Sequence, residues 1–294
     1  MAGVGTGGKL TSMRIASMSR PAGTGRARKF EAALVIGRAA VVAPGVAAFA
    51  EPASWGIERP RTDFTRHAVP LDEIVSGGPP KDGIPAVDRP QFVPVGGVRD
   101  LTDTKPVVAI TIGGRSRAYP LCILVWHEIV NDSLGGVPIT VTYCPLCNSS
   151  IVFDRRIDGR VFDFGTTGKL RNSDLVMYDR QTESWWQQFL GQAIAGEMTG
   201  KMLTMRPSRL ESVARFRARA PDGEVLVPAD PDLRRYGANP YASYDSVARP
   251  FLFRGPLPEG VAPMMRVVAM GAEAWTLALL CTRGRIETDD LVIE

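Results

Sequence analysis

The sequence predicts a β-rich α+β fold: antiparallel sheets in a barrel-like or sandwich-like arrangement, with a few short helices. Three observations lead there. Apolar residues alternate with period two through most of the chain after residue 105. Gly-Gly and Asp-Gly pairs fall between the alternating runs, where tight hairpin turns belong. The chain holds 30 glycines and 23 prolines, which cut it into short segments and leave little room for long helices.

Residues 51–104 are rich in proline and polar groups, with turn signals at Ser76-Gly77-Gly78-Pro79-Pro80 and Asp82-Gly83. They are expected to form an ordered but irregular N-terminal arm, or else a flexible linker. The main domain then spans 105–294. Val107–Ile112 predicts a strand, Gly113-Gly114 a turn and Arg115–Tyr119 the return strand. Pro120 can open a helix, and Leu121–Val130 carries apolar residues at helical spacing; Asn131-Asp132 and Gly135-Gly136 are expected to end it. Ile139–Tyr143 is a β-branched strand leading into Cys144. Ser150–Ile157 and Arg160–Phe164 flank Asp158-Gly159, the clearest hairpin signal in the chain. Further strands are expected at Leu175–Tyr178, Ser184–Phe189, Met265–Met270 and Leu291–Glu294, a second helical stretch near Ser208–Arg219, and a loop over Asp230–Tyr244. A faint internal echo admits two readings, a weak internal repeat or chance similarity. Val107-Val108-Ala109 and Ala118-Tyr119-Pro120-Leu121 return, about 160 residues later, as Val267-Val268-Ala269 and Ala274-Trp275-Thr276-Leu277.

The net charge of +4 is uneven. Residues 1–50 hold seven basic side chains and one acid, a surplus of six, so the remainder carries −2. Basic charge confined to one end gives no basic face, which argues against a nucleic-acid partner. Instead the segment reads as a signal peptide. A basic stretch ends at Arg28-Lys29, a mostly apolar run follows from Ala32, and Ala48-Phe49-Ala50 fits a small-x-small cleavage site. Export to the periplasm or medium is therefore expected, with a disordered tail or a misplaced start codon as the alternative. Arg38 and Pro44 interrupt the apolar run, and no other segment suits an integral span.

Four cysteines, at 122, 144, 147 and 281, are too few for a disulfide scaffold at this length. Cys144-Pro145-Leu146-Cys147 has the two-residue spacing that lets two thiolates converge on one metal ion, and Asn148 tolerates the left-handed turn that such a knuckle needs. A thiol–disulfide redox pair and a plain structural disulfide are the competing readings. His127 lies 17 residues earlier, on the predicted helix leading into the cysteine strand. His127, Cys144 and Cys147 are thus candidate ligands of one transition-metal ion, zinc or copper, with an open position for water or a small-molecule substrate. Glu128, one residue on, is a candidate base or fourth ligand, but it would point about 100° away from His127 on a helix, and a solvated face is the expectation favoured. Tyr178, Arg180 and Trp186, in a dense polar and aromatic stretch, are candidate ligand-contacting residues, with cross-strand packing the equal alternative. Met198, Met202 and Met205 are better read as packing than as copper ligands.

Several blocks occur together in order. They are Leu71-Asp72-Glu73-Ile74, Arg117-Ala118-Tyr119-Pro120, Trp126-His127-Glu128-Ile129-Val130-Asn131-Asp132, Thr142-Tyr143-Cys144-Pro145-Leu146-Cys147 and Asn172-Ser173-Asp174-Leu175-Val176-Met177-Tyr178-Asp179-Arg180. Over about residues 66–283 the chain resembles the bacterial family of unknown function numbered 3179 (DUF3179). The resemblance implies export, and it implies that the His127, Cys144 and Cys147 constellation carries over. Family members usually have Gly after the second cysteine, where this chain has Asn148. They also often continue beyond the second repeat-like unit, within which this chain is expected to stop. Two functions follow as expectations. One is an exported metalloenzyme doing redox or metal-assisted hydrolytic chemistry. The other is a non-catalytic metal-handling or ligand-binding module, with a thiol–disulfide redox protein beside it.

Overall fold

Local turn chemistry sets most of the hairpins. The computed structural model describes residues 52–270, 273–287 and 292–293; the signal segment expected over 1–50 lies outside them. Asp158 and Gly159 both take positive φ, 49° and 76°, as a type I′ turn requires, and join the short strands Arg156–Ile157 and Arg160–Val161. Gly113-Gly114 likewise joins Pro106–Ile112 to Arg115–Pro120.

Among the described residues the strands form three larger sheets and three two-stranded ones, none closed into a barrel. The first sheet runs Ile74–Ser76, Phe164–Arg171, Asp174–Asp179, Trp185–Gln187 and Gln192–Ala195, antiparallel throughout. The second runs Thr204–Arg206, Ser149–Asp154, Val137–Cys144 and Ile129–Leu134, also antiparallel. The third runs Arg209–Ser212, Pro106–Ile112, Arg115–Pro120, Glu224–Val227 and Gln91–Pro94. Its Arg115–Pro120 and Glu224–Val227 strands pair in parallel, the one departure from the antiparallel expectation among these sheets.

The second sheet is buried on both faces, which gives a layered, sandwich-like arrangement. Val130, Ile139, Val141 and Val152 pack with Val108, Ile110 and Tyr119 of the third sheet and Leu124 of the following helix. The opposite face offers Ile129, Cys144 and Phe153 to Phe164, Met177 and Trp186 of the first sheet. Alternation with period two sends neighbouring residues such as Ile129 and Val130 to opposite cores. The N-terminal stretch is knit into this body. Ile74–Ser76 and Gln91–Pro94 are edge strands, and buried Trp55 packs at a tilt on Trp185, ring centroids 5.1 Å apart.

Two helices differ from expectation. The first spans Leu121–His127 and stops three residues early, because Glu128 turns left-handed (φ 59°) and β-branched Ile129-Val130 starts a strand against Thr142 and Val141. The second spans Val213–Arg219; the residues before it, Arg209–Ser212, extend as an edge strand, and Ser212 Oγ caps the helix by accepting from Arg215 N.

Candidate metal centre

The strand Val137–Cys144 ends where Pro145 removes a ladder donor, and Ser149–Asp154 returns beside it with Cys144 opposite Ser149. Between them Asn148 takes φ 48°, the left-handed turn expected after the second cysteine, and accepts a 3.0 Å hydrogen bond from Tyr143 Oη. The loop buries Cys144 and leaves Cys147 exposed; both are free thiols. On the adjoining first sheet, Asn172 and Ser173 make a left-handed turn that delivers Asp174 to the same place. Cys147 Sγ donates to Asp174 Oδ1 at 3.2 Å, and Cys144 Sγ lies 3.9 Å from Ser173 O. One ligating atom each from Cys144, Cys147 and Asp174 lie within 4.8 Å of one another.

A buried polar lattice supports this cluster. Asp174 is 4% exposed, and its second oxygen accepts from Phe189 N at 3.0 Å. Ser149 Oγ sits 3.2 Å from Cys147 Sγ and donates to Gln188 Oε1, whose amide in turn donates to Thr142 Oγ1. Such partners fix the orientation of metal-ligating groups.

The electrostatics penalise negative charge. Burial, then the neighbouring Cys147, Asp174 and Glu128, push the Cys144 thiol well above its usual range. Burial also raises the Asp174 carboxyl against its hydrogen bonds, the one from Phe189 N foremost. Glu128 is 6% exposed; burial first, then Asp174, carry its carboxyl up to about 8. A bound cation would reverse each of these penalties.

His127 is not in this cluster, and the expected approach of its ring to both sulfurs does not occur. Its Nδ1 is 2.7 Å from Pro85 O, which can only accept, so Nδ1 carries the proton. Nε2 therefore accepts from Tyr236 Oη at 2.8 Å, and the two rings stack 5.7 Å apart. The reason is the early helix end. The adjacent side chains diverge as expected, but Glu128, not His127, lies near the cysteines. The solvated face expected for Glu128 is corrected by its burial.

Of the candidate ligand-contacting residues, Tyr178 and Trp186 lie in the core and Arg180 is half-buried. Tyr178 is buried and donates to Asp82 Oδ2 at 2.5 Å, and fully buried Trp186 donates from Nε1 to Asp179 at 2.9 Å. Arg180 pairs with Asp88 at 3.0 Å. Of the methionines, Met198 is core while Met202 and Met205 are exposed. Spacing in the sequence gave no handle on Asp174, which reaches the cysteines only through the packing of one sheet on another.

Fold and site together define a class: a layered β protein with a thiol–carboxylate cluster at the end of a central hairpin. The family profile described as "Protein of unknown function (DUF3179)" matches residues 81–291, and the chain belongs to that family. Neither curated proteins nor solved structures gave a match. Among the described residues no helix is long and apolar enough to cross a membrane.

Proposed function

We propose that the protein is an exported metal-binding protein in which Cys144, Cys147 and Asp174 hold one transition-metal ion. The observation that carries this reading is the gathering of two thiols and a buried carboxyl within 4.8 Å. Thiolates about 2.3 Å and carboxylate oxygens about 2.0–2.2 Å from zinc fit inside that envelope. Zinc is favoured over copper because it accepts soft sulfur and hard carboxylate together. Three protein donors leave a fourth position for water or substrate, as in catalytic rather than closed structural zinc sites. A metal there supplies Lewis acidity or an activated water; Glu128, buried nearby, supplies a carboxyl able to hold or give up a proton.

The test is elemental analysis of protein from its native compartment. About one equivalent of zinc is expected from a single site. Cys144→Ser and Asp174→Asn should each lower metal content at least tenfold, by analogy with ligand-shell losses in known sites, whereas His127→Ala should keep it. Unchanged metal in Cys144→Ser, or a stable Cys144–Cys147 disulfide in the isolated protein, sinks the reading. Stoichiometric copper in place of zinc keeps the site and overturns the choice of metal. Export rests on the basic, apolar and Ala48-x-Ala50 sequence of residues 1–50. N-terminal sequencing of secreted protein should begin at Glu51; a start at Met1 counts against it.

A further inference from the structure

A cavity of about 290 Å³ shares a wall with the cluster. Leu146, from the cysteine loop, and Leu175, next to Asp174, both line it. So do Glu128, Ile84 and three aromatic side chains, Tyr241, Tyr244 and Phe251. The aromatic segment is tied to the site, because Ser173 Oγ, one residue before Asp174, donates to Phe251 O at 2.6 Å. Tyr244 Oη is occupied in accepting from Phe251 N at 2.8 Å.

The polar groups of this cavity are few, and their states define a ligand. Lys169 is neutralised by Glu58 at 3.1 Å. Glu128 is 6% exposed, and among the described residues its carboxyl makes no hydrogen bond. Glu128 lines the cavity, so a ligand entering it meets a carboxyl free to take a hydrogen bond. Nor does Glu128 complete the metal set: it is not within 4.8 Å of all three donors, as ligands of one ion would be. The volume is at or just below the low end of the roughly 300–1,000 Å³ typical of small-molecule pockets, which excludes polymers and bulky cofactors. With the one lysine paired and carboxyls nearby, an anionic ligand finds no counter-charge.

We propose that this cavity binds a small, neutral, mostly apolar molecule carrying one hydroxyl or amide group, which donates a hydrogen bond to Glu128 while its apolar part packs on Tyr241, Tyr244 and Phe251. This deepens the metal-centre reading and rests on it for the reactive group, since the cavity presents its ligand beside the cysteine loop. Binding itself needs no metal.

Benzamide, benzyl alcohol, toluene and benzoate separate the terms, titrated into the full-length, metal-free protein by calorimetry and by amide chemical shifts. Benzamide and benzyl alcohol should bind about tenfold more tightly than toluene, the worth of one buried hydrogen bond. Benzoate should bind no better than toluene. Glu128→Leu should erase the preference for benzamide over toluene, and Glu128→Gln, which keeps a donor and an acceptor, should retain it. Should Glu128→Leu not fold, benzamide-induced shifts at Glu128, Leu146 and Leu175 of the unaltered chain report the site. Absence of saturable benzamide binding, equal binding of benzamide and toluene, preference for benzoate, shifts confined to other residues, or a preference that survives Glu128→Leu each overturns the proposal. Cys147→Ser should lose metal and keep benzamide binding. A failure of the metal reading thus shows in metal content alone, and a failure of the cavity reading in the titration alone.

Discussion

Replacing Glu128 by Gln should change how stability depends on pH, in a direction and by an amount the structure sets. Glu128 is 6% exposed, and burial followed by the Asp174 charge raise its carboxyl from 4.5 to about 8. Below the unfolded value the group is protonated in both states and contributes no pH dependence. Between 4.5 and about 8 the folded chain keeps a proton that the unfolded chain releases, so stability falls as pH rises. The slope is about 1.4 kcal/mol per pH unit, and the loss saturates above the folded value at about 5 kcal/mol. Gln has no such proton. The stability of Glu128→Gln relative to the parent should therefore grow by up to about 5 kcal/mol between acid and alkaline pH, a shift of about 2 M in urea midpoint. The assay is urea unfolding of both proteins, metal-free and with thiols reduced, from about pH 4.5 to about pH 9. Curves that run parallel within about 1 kcal/mol refute the reasoning. A second readout belongs to the same experiment. A divalent ion beside Glu128 opposes the Asp174 charge and lowers the Glu128 pKa, while ligand deprotonation adds the same pH dependence to both proteins, so zinc should narrow the difference between the parent's profile and that of Glu128→Gln.

Gly168 stands at φ 72°, and an added Cβ would meet Pro79 O at 1.9 Å, so Gly168→Ala should destabilise by more than about 2 kcal/mol in thermal or urea unfolding; a cost under about 0.5 kcal/mol would show that the strand bulge relaxes freely. Asp179, fully buried, accepts from Trp186 Nε1 at 2.9 Å and from Thr182 N at 2.6 Å and Thr182 Oγ1 at 2.9 Å. Asp179→Ala orphans these donors and should lose about 3–5 kcal/mol of unfolding free energy, with the Trp186 fluorescence shifted towards that of solvent-exposed indole; an unshifted spectrum speaks against that network.

What was legible in the sequence is what local chemistry decides. Gly113-Gly114 and Asp158-Gly159 announce hairpins because few residues tolerate positive φ, and the structure places turns at both. Cys144 and Cys147 were found because a two-residue spacing is itself a geometric statement. The sequence predicts a helix over Leu121–Val130 that is three residues too long, since its apolar period continues into Ile129-Val130 while the break, at Glu128, carries no glycine to mark it. The position of the helix end decides which side chain reaches the cysteines. With the helix extended, His127 is the natural ligand; with the chain reversing at Glu128, the histidine is drawn to Pro85 and Tyr236 instead. Asp174 and the parallel pairing of Arg115–Pro120 with Glu224–Val227 depend on contacts between segments far apart in the chain, which no local pattern encodes.

The repeat-like stretch shows what is particular to Glu128. Val267–Met270, Glu273–Thr276, the helix Leu277–Arg283 and the strand pair Ile286–Glu287 with Val292–Ile293 follow the element order of residues 106–144. Val267, Val268 and Ala269 face Thr276, Trp275 and Ala274, just as Val107, Val108 and Ala109 face Pro120, Tyr119 and Ala118. Both helices have seven residues and end in a residue with positive φ. At that shared corner the later copy has Gly284 at φ 71°, the residue for which the conformation carries little strain; the earlier copy has Glu128 at φ 59°. A non-glycine residue there costs about 1–2 kcal/mol, and the burial of its carboxyl adds to that. The corner itself needs neither penalty, as Gly284 demonstrates. What Glu128 adds is a carboxyl beside the Cys144 loop, in the stretch that carries the cysteine pair, and backbone strain held next to the candidate metal centre is what the proposed role of Glu128 would require.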